Sequence, residues 1–330
     1  MIVVTGGAGF IGSALICRLN DDMRKDIIVV DNLGQGDKWR NLAPLRYREY
    51  IHKDAFHQFL RRGRMPWPVS CVIHLGACSS TTEANADYLM HNNFRYSQRL
   101  CRFCLQNDIT FVYASSAATY GDGSMGFAAR IDQLRELIPL NMYAYSKHLF
   151  DCWVVSEGLQ ERVAGIKFFN VYGPNEYHKG HMRSVVAKAH AQVKNEGRIT
   201  LFKSTVPDLA DGDQKRDFVY VKDCVEFILW AARGGFKGIA NMGTGTARSF
   251  NDLAKAVFAA LGRECRIEYV DMPETLRGAY QNFTQAEVPW IKDVDYPNPI
   301  RSLEDGVKDY VTEYLEKPYP YMRPKQPLEP

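Results

Sequence analysis

Ile2-Val3-Val4-Thr5-Gly6-Gly7-Ala8-Gly9-Phe10-Ile11-Gly12 decides the fold. Ile2 to Val4 reads as a buried strand, the glycines follow without a break, and the amphipathic stretch Ile11 to Leu19 reads as a helix. Gly7, Gly9 and Gly12 satisfy G-x-G-x-x-G, and Gly6, Gly9 and Gly12 satisfy the related G-x-x-G-x-x-G spacing. In such a loop one glycine permits the tight turn, one lets backbone approach a pyrophosphate, and one lets the helix pack closely on the sheet. The helix then points its unpaired N–H groups and positive dipole end at the phosphates. The spacing alone also fits a purely structural turn. A second buried strand, Ile27 to Val30, ends in Asp31, close to the ribose-binding position, and this context points to a dinucleotide site.

A chain of 330 residues can bury a large core and favours two lobes over one. Its net charge of +3 is too small to argue for nucleic acid or a membrane surface as a partner. No run approaches the roughly 18 apolar residues of a spanning helix, and a strand starting at residue 2 leaves no room for a signal peptide, so a cytoplasmic protein is expected. The eight cysteines sit mostly in apolar runs, which favours buried thiols in a reducing compartment over disulfides. Cys101 and Cys104 form C-x-x-C, but the surrounding pattern places them within a helix with no second cysteine pair, so no metal is expected.

Beyond Asp31, Asn32 to Lys38 is a polar, glycine-bearing loop. A carboxylate at Asp31 suits a ribose 2′-hydroxyl and repels a 2′-phosphate. Lys38 and Lys53 would reverse that preference if both fold back toward the ribose; spacing alone favours solvated surface lysines. Cys71 to Leu75 is the next buried strand and delivers Gly76-Ala77-Cys78-Ser79 to the ends of the strands, where ligands bind in such sheets. Asn92 and Asn93 precede a helix predicted over Phe94 to Leu105, and Thr110 to Ala114 is a further strand ending at Ser115-Ser116. The alternation predicts an α/β fold, a doubly wound parallel sheet with helices on both faces.

Pro139 to Lys147 leads into a helix on which Tyr143 and Lys147, four residues apart, share a face, while Tyr145 lies on another. A phenol with a reference pKa near ~10 is a poor base at neutral pH, and an adjacent ammonium stabilises its phenolate. Lys147 is also able to hydrogen-bond the nicotinamide ribose, and Ser116 to share a proton with the tyrosine or the substrate oxygen. The pair alone occurs by chance in many helices; here it follows a fingerprint and a strand-end serine in the expected order.

Thr5 to Gly12, Ser115 to Gly121 and Tyr143 to Lys147 together resemble the extended short-chain dehydrogenases/reductases, in their nucleotide-sugar epimerase and dehydratase branch. More narrowly, Gly76-Ala77-Cys78-Ser79-Ser80-Thr81-Thr82-Glu83, Tyr113 to Gly121, Phe169-Asn170-Val171-Tyr172-Gly173-Pro174, His178-Lys179-Gly180 and Arg216 to Val221 are similar to strings of the ADP-glyceromanno-heptose 6-epimerase family. The resemblance implies a Rossmann domain and an isomerase with bound NADP and an ADP-heptose as its small-molecule substrate. The cofactor oxidises C6 of the heptose and returns the hydride to the opposite face, joining the D-glycero and L-glycero epimers in lipopolysaccharide precursor synthesis. It implies Tyr143 and Lys179 as the acid/base groups, one for each epimer, with Lys147 and Ser116 in support, and a homo-oligomer. Cofactor contacts fall at Gly6, Gly9, Phe10, Ile11, Gly12, Asp31, Asn32, Leu75, Gly76, Ala77, Cys78, Ser79, Asn92, Lys147, Val171 and Lys179, with Lys38 and Lys53 on the 2′-phosphate.

From Asn170 the alternation loosens, and a smaller mixed α/β substrate lobe is expected over the sheet's carboxyl edge. The expected division is residues 1–169 and 213–240 for the cofactor, 170–212 and 241–316 for the substrate, and 317–330 as a proline-rich tail, poorly ordered or used in packing. Helix 182–195 belongs to the smaller lobe, and Phe218 to Trp230 returns to the first domain as a strand and helix. Arg216 offers a planar donor fork for a pyrophosphate, or pairs with a neighbouring Asp213 or Asp217. By resemblance Asn170, Phe202, Lys203, Ser204, Thr205, Arg216 and Tyr280 line the ADP-sugar site. His181 and Lys188 stand where the family usually carries Ser and His, and His178 and His181 lack a third metal ligand. A 4,6-dehydratase needs an Asp-Glu pair after the strand-end serine, where Ala117 and Ala118 stand, and a cofactor-sensing regulator would be expected to lose Tyr143 and Lys147.

Overall fold

The computed structural model describes residues 1–274, 281–289 and 296–325. Seven strands, β1 (Ile2–Thr5), β2 (Ile27–Asp31), β3 (Glu49–His52), β4 (Cys71–His74), β5 (Thr110–Ser116), β6 (Ala164–Phe168) and β7 (Gly238–Met242), form one sheet in the order β7-β6-β5-β4-β1-β2-β3. Every pairing is parallel. Chain order reverses between β1 and β4, so a crevice opens there at the carboxyl ends of the strands.

The pleat sorts the apolar residues by period 2 into two buried layers. Val4, Val29, Ile73 and Val112 face helices α1 (Phe10–Asp21) and Val221–Ala232. Val3, Ile28, Val30, Val72 and Phe111 face the opposite layer, where Phe56 of α2 (Lys53–Arg61) lies with Leu100, Cys101 and Cys104. Those last residues belong to a helix that starts earlier than the sequence reading. Three contiguous segments, Ala86–Leu89, a π-helical Met90–Arg95 and Tyr96–Gln106, run as α3, so Asn92 and Asn93 lie inside it rather than before it. The Asn85 side chain caps it by accepting from Tyr88 N, a start signal ahead of the apolar stripe. The same layer holds Phe150, Trp153 and Val154 of α4 (Met142–Ser156), capped by Asn141.

At the β1–α1 turn, a Cβ on Gly12 would lie 2.2 Å from the Gly6 carbonyl oxygen, so only glycine lets α1 approach the loop this closely. Gly12→Ala is therefore expected to displace the helix start, lowering stability by roughly 1–3 kcal/mol. Thermal unfolding, with assay of nucleotide retained on purification, checks both consequences.

Three two-stranded ladders lie outside the main sheet: Asn170–Tyr172 with Phe218–Tyr220, Lys215–Arg216 with Arg248–Ser249, and Ile199–Phe202 with Ile267–Val270. Phe218–Tyr220 forms a strand that pairs with Asn170–Tyr172 outside the main sheet, and the helix after it, α6 (Val221–Ala232), packs on that sheet. Helix α5 is Val185–Glu196, later than the predicted 182–195, because Ser184 caps it by accepting from Ala187 N and a short 3-10 segment broken at Gly180 precedes it. Helices α7 (Phe250–Ala260) and α8 (Leu303–Tyr310) complete this side. The tail is packed through residue 325 rather than loose: Met322 is buried, and Lys325 N donates to Asp21 Oδ1 at 2.7 Å. No described helix is long and apolar enough to cross a membrane.

Candidate active site

Gly9 holds the N-cap position of α1 with no side-chain cap, which leaves the first N–H groups of the helix for a ligand. Beside it the Asp31 carboxylate is fully engaged. Its Oδ2 accepts from Ala8 N at 2.8 Å, and its Oδ1 accepts from Asn32 N at 2.6 Å and Lys38 Nζ at 2.5 Å. Lys53 Nζ donates to Asn92 Oδ1 at 2.9 Å, across from Asp31.

Two adjoining cavities open on this loop. The larger, 480 Å³, is walled by Gly6, Gly9 to Gly12, Leu75 to Ala77, Ser79, Ser116, Tyr143, Lys147, Val171, His178 and Lys179. The smaller, 210 Å³, shares Gly6, Asp31, Lys38, Gly76 and Ala77 with it and adds Asn32, Lys53, Cys78, Tyr88 and Asn92. Each residue expected to touch the cofactor thus lies on a wall of one or the other. The glycine cradle that a Cβ would fill, the uncapped helix start and the paired lysines fit a dinucleotide phosphate chain.

Tyr143 sits in the first turn of α4 and lines the larger cavity together with Ser116 at the end of β5. Burial raises its pKa, and the Ser116 hydroxyl opposes that rise. Lys147 is buried, donates to the Ala114 carbonyl at 2.8 Å, and is pushed down to about 8 by desolvation, against the field of Asp151. Tyr145 points away and is exposed, as its position on another helix face requires. Across the cavity the Lys179 ammonium lies 5.5 Å from the Phe10 ring centroid, a cation–π contact. Burial depresses its pKa; Glu176 opposes this, and Lys188 adds to the depression as a like charge. A phenol and an amine therefore face one space beside a dinucleotide cradle, an arrangement able to move a proton on either side of a carbinol carbon.

Sequence reasoning missed the polar scaffold beneath these groups. Thr5 Oγ1 accepts from Gly76 N, and His74 links Thr5, at 2.6 Å, to Ser97, at 2.8 Å. The Ser97 proton is committed to the Asn93 carbonyl, so His74 must donate through Nε2 and accept through Nδ1 from Thr5. With its pKa pushed down to about 3 by burial, this histidine is neutral. Asn93 then holds the Cys78 backbone through both of its side-chain atoms and donates to Ser146, which donates to the Tyr143 carbonyl. A run of bonds thus joins the end of β1 to α4 through the π-helical turn of α3. The only signal in sequence was the Asn92-Asn93 doublet.

The described residues expected to meet the sugar nucleotide lie outside the two cavity walls. Asn170 is exposed at the start of its short strand, His181 and Lys188 are exposed, Phe202 ends the Ile199–Phe202 strand, and Lys203 to Thr205 follow it. Arg216 is buried, 5.7 Å from the Phe250 ring centroid, and donates to the Lys215 carbonyl. The Asp217 carboxylate is filled by Thr244, Gly245 and Ala286. Tyr280 lies outside the described residues. Among the described residues no group of three or more His, Cys, Asp or Glu side chains is placed to hold a metal. Cys101 and Cys104 are free, buried thiols on α3, and burial pushes Cys101 up to about 12.

Residues 2–243 match the model of the NAD dependent epimerase/dehydratase family, and the chain belongs to that family. Within it the chain is 54% identical over 323 residues to the ADP-L-glycero-D-manno-heptose-6-epimerase of Nitratidesulfovibrio vulgaris strain DP4, covering 98% of this chain and 100% of that one. It is 46% identical over 332 residues to the enzyme of the same name from Fusobacterium nucleatum, again covering 98% and 100%. The crystal structure of the Helicobacter pylori ADP-L-glycero-D-manno-heptose-6-epimerase superposes with a TM-score of 0.78 at 29% identity, covering 94% of this chain and 95% of that one.

Proposed function

We propose that this protein interconverts ADP-D-glycero-D-manno-heptose and ADP-L-glycero-D-manno-heptose by transient oxidation at C6. The observation that carries the reading is the sharing of one cavity by Tyr143 and Lys179, each with its acidity perturbed by burial, beside the glycine cradle. The relatives named above supply the substrate class. A bound nicotinamide supplies reversible hydride acceptance at C6. The Tyr143 Oη takes the C6 hydroxyl proton of one epimer, and the Lys179 Nζ takes that of the other. Lys147 stabilises the phenolate of Tyr143 and holds the ribose, and Ser116 shares a proton with the phenol or the substrate oxygen. The depressed pKa of Lys179 keeps a fraction of it as the free amine a base requires. We assign residues 1–169 and 213–240 to the cofactor and 170–212 and 241–316 to the sugar nucleotide, with Asn170, Phe202 to Thr205, Arg216, His181 and Lys188 as its contacts. Incubation with either ADP-heptose epimer and no added cofactor, followed by NMR, is expected to yield a mixture of both; an unchanged single epimer would remove this reading.

The cofactor in this proposal is NADP. Lys38 neutralises Asp31 at 2.5 Å, which removes the charge that would repel a 2′-phosphate, and Lys53 lies on the same cavity wall. The nucleotide released on denaturation is then expected to be 2′-phosphorylated. Lys38→Ala and Lys53→Ala should each weaken NADP relative to NAD by roughly tenfold, measured by titration of protein stripped of nucleotide.

A further inference from the structure

Lys179 sits in a stretch whose only regular element is a short 3-10 segment, Tyr177–Met182, broken at Gly180. Such a stretch does not by its own hydrogen bonds fix an amine to the tolerance that proton transfer requires. The three residues immediately before that amine's neighbour each bind the C-terminal part of the chain. Asn175, fully buried and in the left-handed region with φ 75°, accepts through Oδ1 from Met322 N at 2.9 Å. Glu176, also fully buried, accepts from the Tyr310 hydroxyl at 3.1 Å. Tyr177 donates through its hydroxyl to the Pro320 carbonyl at 2.8 Å and stacks edge-on against Tyr321.

The same residues tie the stretch to the cofactor side. Asn175 Nδ2 donates to Ser13 Oγ on α1 at 3.0 Å, and the Asn175 carbonyl accepts from Asn41, whose amide also reaches the Ala8 carbonyl of the glycine turn. Glu176 closes the far end by accepting from the Ser184 backbone and hydroxyl at 2.5 and 2.6 Å. The base-bearing loop is thus clamped between the start of α1 and the tail, and the tail itself is anchored back on α1 by Lys325.

From this geometry we infer that the C-terminal segment 318–325 is a positioning strap for Lys179, acting through Asn175 and Tyr177, and is required for the half of the reaction that Lys179 serves. This rests on the proposed two-base epimerisation. Removing the strap leaves the Tyr143 side intact, because Tyr143 is held from α4, β5 and α3, none of which hydrogen-bonds it through the tail.

The test compares the full chain with a truncation ending at Lys317 and with Tyr177→Phe, which keeps the tail and removes one clamp. Single-turnover reduction of the bound cofactor is followed by absorbance with each ADP-heptose epimer separately. The truncation is expected to slow reduction by one epimer roughly 100-fold and by the other less than about twofold; Tyr177→Phe should slow the same epimer about fivefold. Acylation of amines read by mass spectrometry gives a readout independent of turnover: Lys179 is protected in the full chain and becomes more reactive in both variants. Equal slowing with both epimers, or unchanged Lys179 labelling, overturns the strap. A full-length chain that interconverts neither epimer overturns the epimerase reading instead, and the labelling result then still decides whether the tail holds Lys179. If the truncation does not fold, Tyr177→Phe decides between the same outcomes.

Discussion

Tyr143→Phe and Lys179→Met are each expected to lower steady-state epimerisation about a thousandfold, the scale of losing a positioned general acid/base. Both losses are total for the cycle, because a two-base mechanism uses one group on each face of C6. Their half-reactions should differ. Tyr143→Phe abolishes cofactor reduction by one epimer, and Lys179→Met by the other, so the two variants are complementary when each epimer is presented alone. A one-base mechanism predicts that Lys179→Met behaves like a surface change, and a variant retaining more than half the wild-type rate in both directions would sink the two-base assignment. The wild-type rate should also fall on the alkaline side, as Lys147, pushed down to about 8, loses the proton that stabilises the phenolate. With the epimer whose C6 proton Lys179 takes, it should also fall on the acid side as Lys179 is converted to ammonium and can no longer accept a proton. A pH–rate profile with each epimer checks both limbs.

How much of the fold and site is legible in the sequence follows from what kind of contact each residue makes. The glycine turn, Asp31, Ser116, Tyr143 and Lys147 were readable because each is fixed by local spacing on one element, and period and turn chemistry report local spacing. Lys38 and Lys53 read as surface lysines until the resemblance placed them, since their partners, Asp31 and Asn92, come from other elements. The His74, Ser97 and Asn93 scaffold was invisible because buried polar chains are built across strands and helices whose pairing the sequence does not spell out. The late start of α5 and the early start of α3 were missed for another reason: Ser184 and Asn85 are capping residues, and their signal lost to the stronger apolar stripe beyond them. For the tail, composition left poor order and packing both open, because a proline-rich stretch reports little regular structure and nothing of contact; the structure packs it through residue 325.

Asp151→Asn is expected to be the most destabilising change near the site. Asp151 on α4 and Lys167 on β6 are both 0% exposed, with Lys167 Nζ 2.7 Å from Asp151 Oδ2. Asp151 also accepts from Tyr113 at 3.0 Å and from Ser115 at 2.6 Å, while Lys167 donates to Thr119 at 2.6 Å. Removing only the carboxylate charge strands an ammonium in the core, a loss of about 3–5 kcal/mol, or roughly 5–10 °C in the unfolding midpoint. Asp151→Asn combined with Lys167→Met removes both charges and should recover most of that stability, because a buried pair exchanged for apolar packing is often close to neutral. Catalysis separates the two roles of the pair. Asp151 is the group whose field raises the pKa of Lys147, so its loss should move the alkaline limb to lower pH in the single variant. The double variant should regain its unfolding midpoint and keep the displaced limb. Recovery of both together would mean that Asp151 acts on Lys147 through packing, and an unmoved limb in either variant would remove it from the electrostatics of the site.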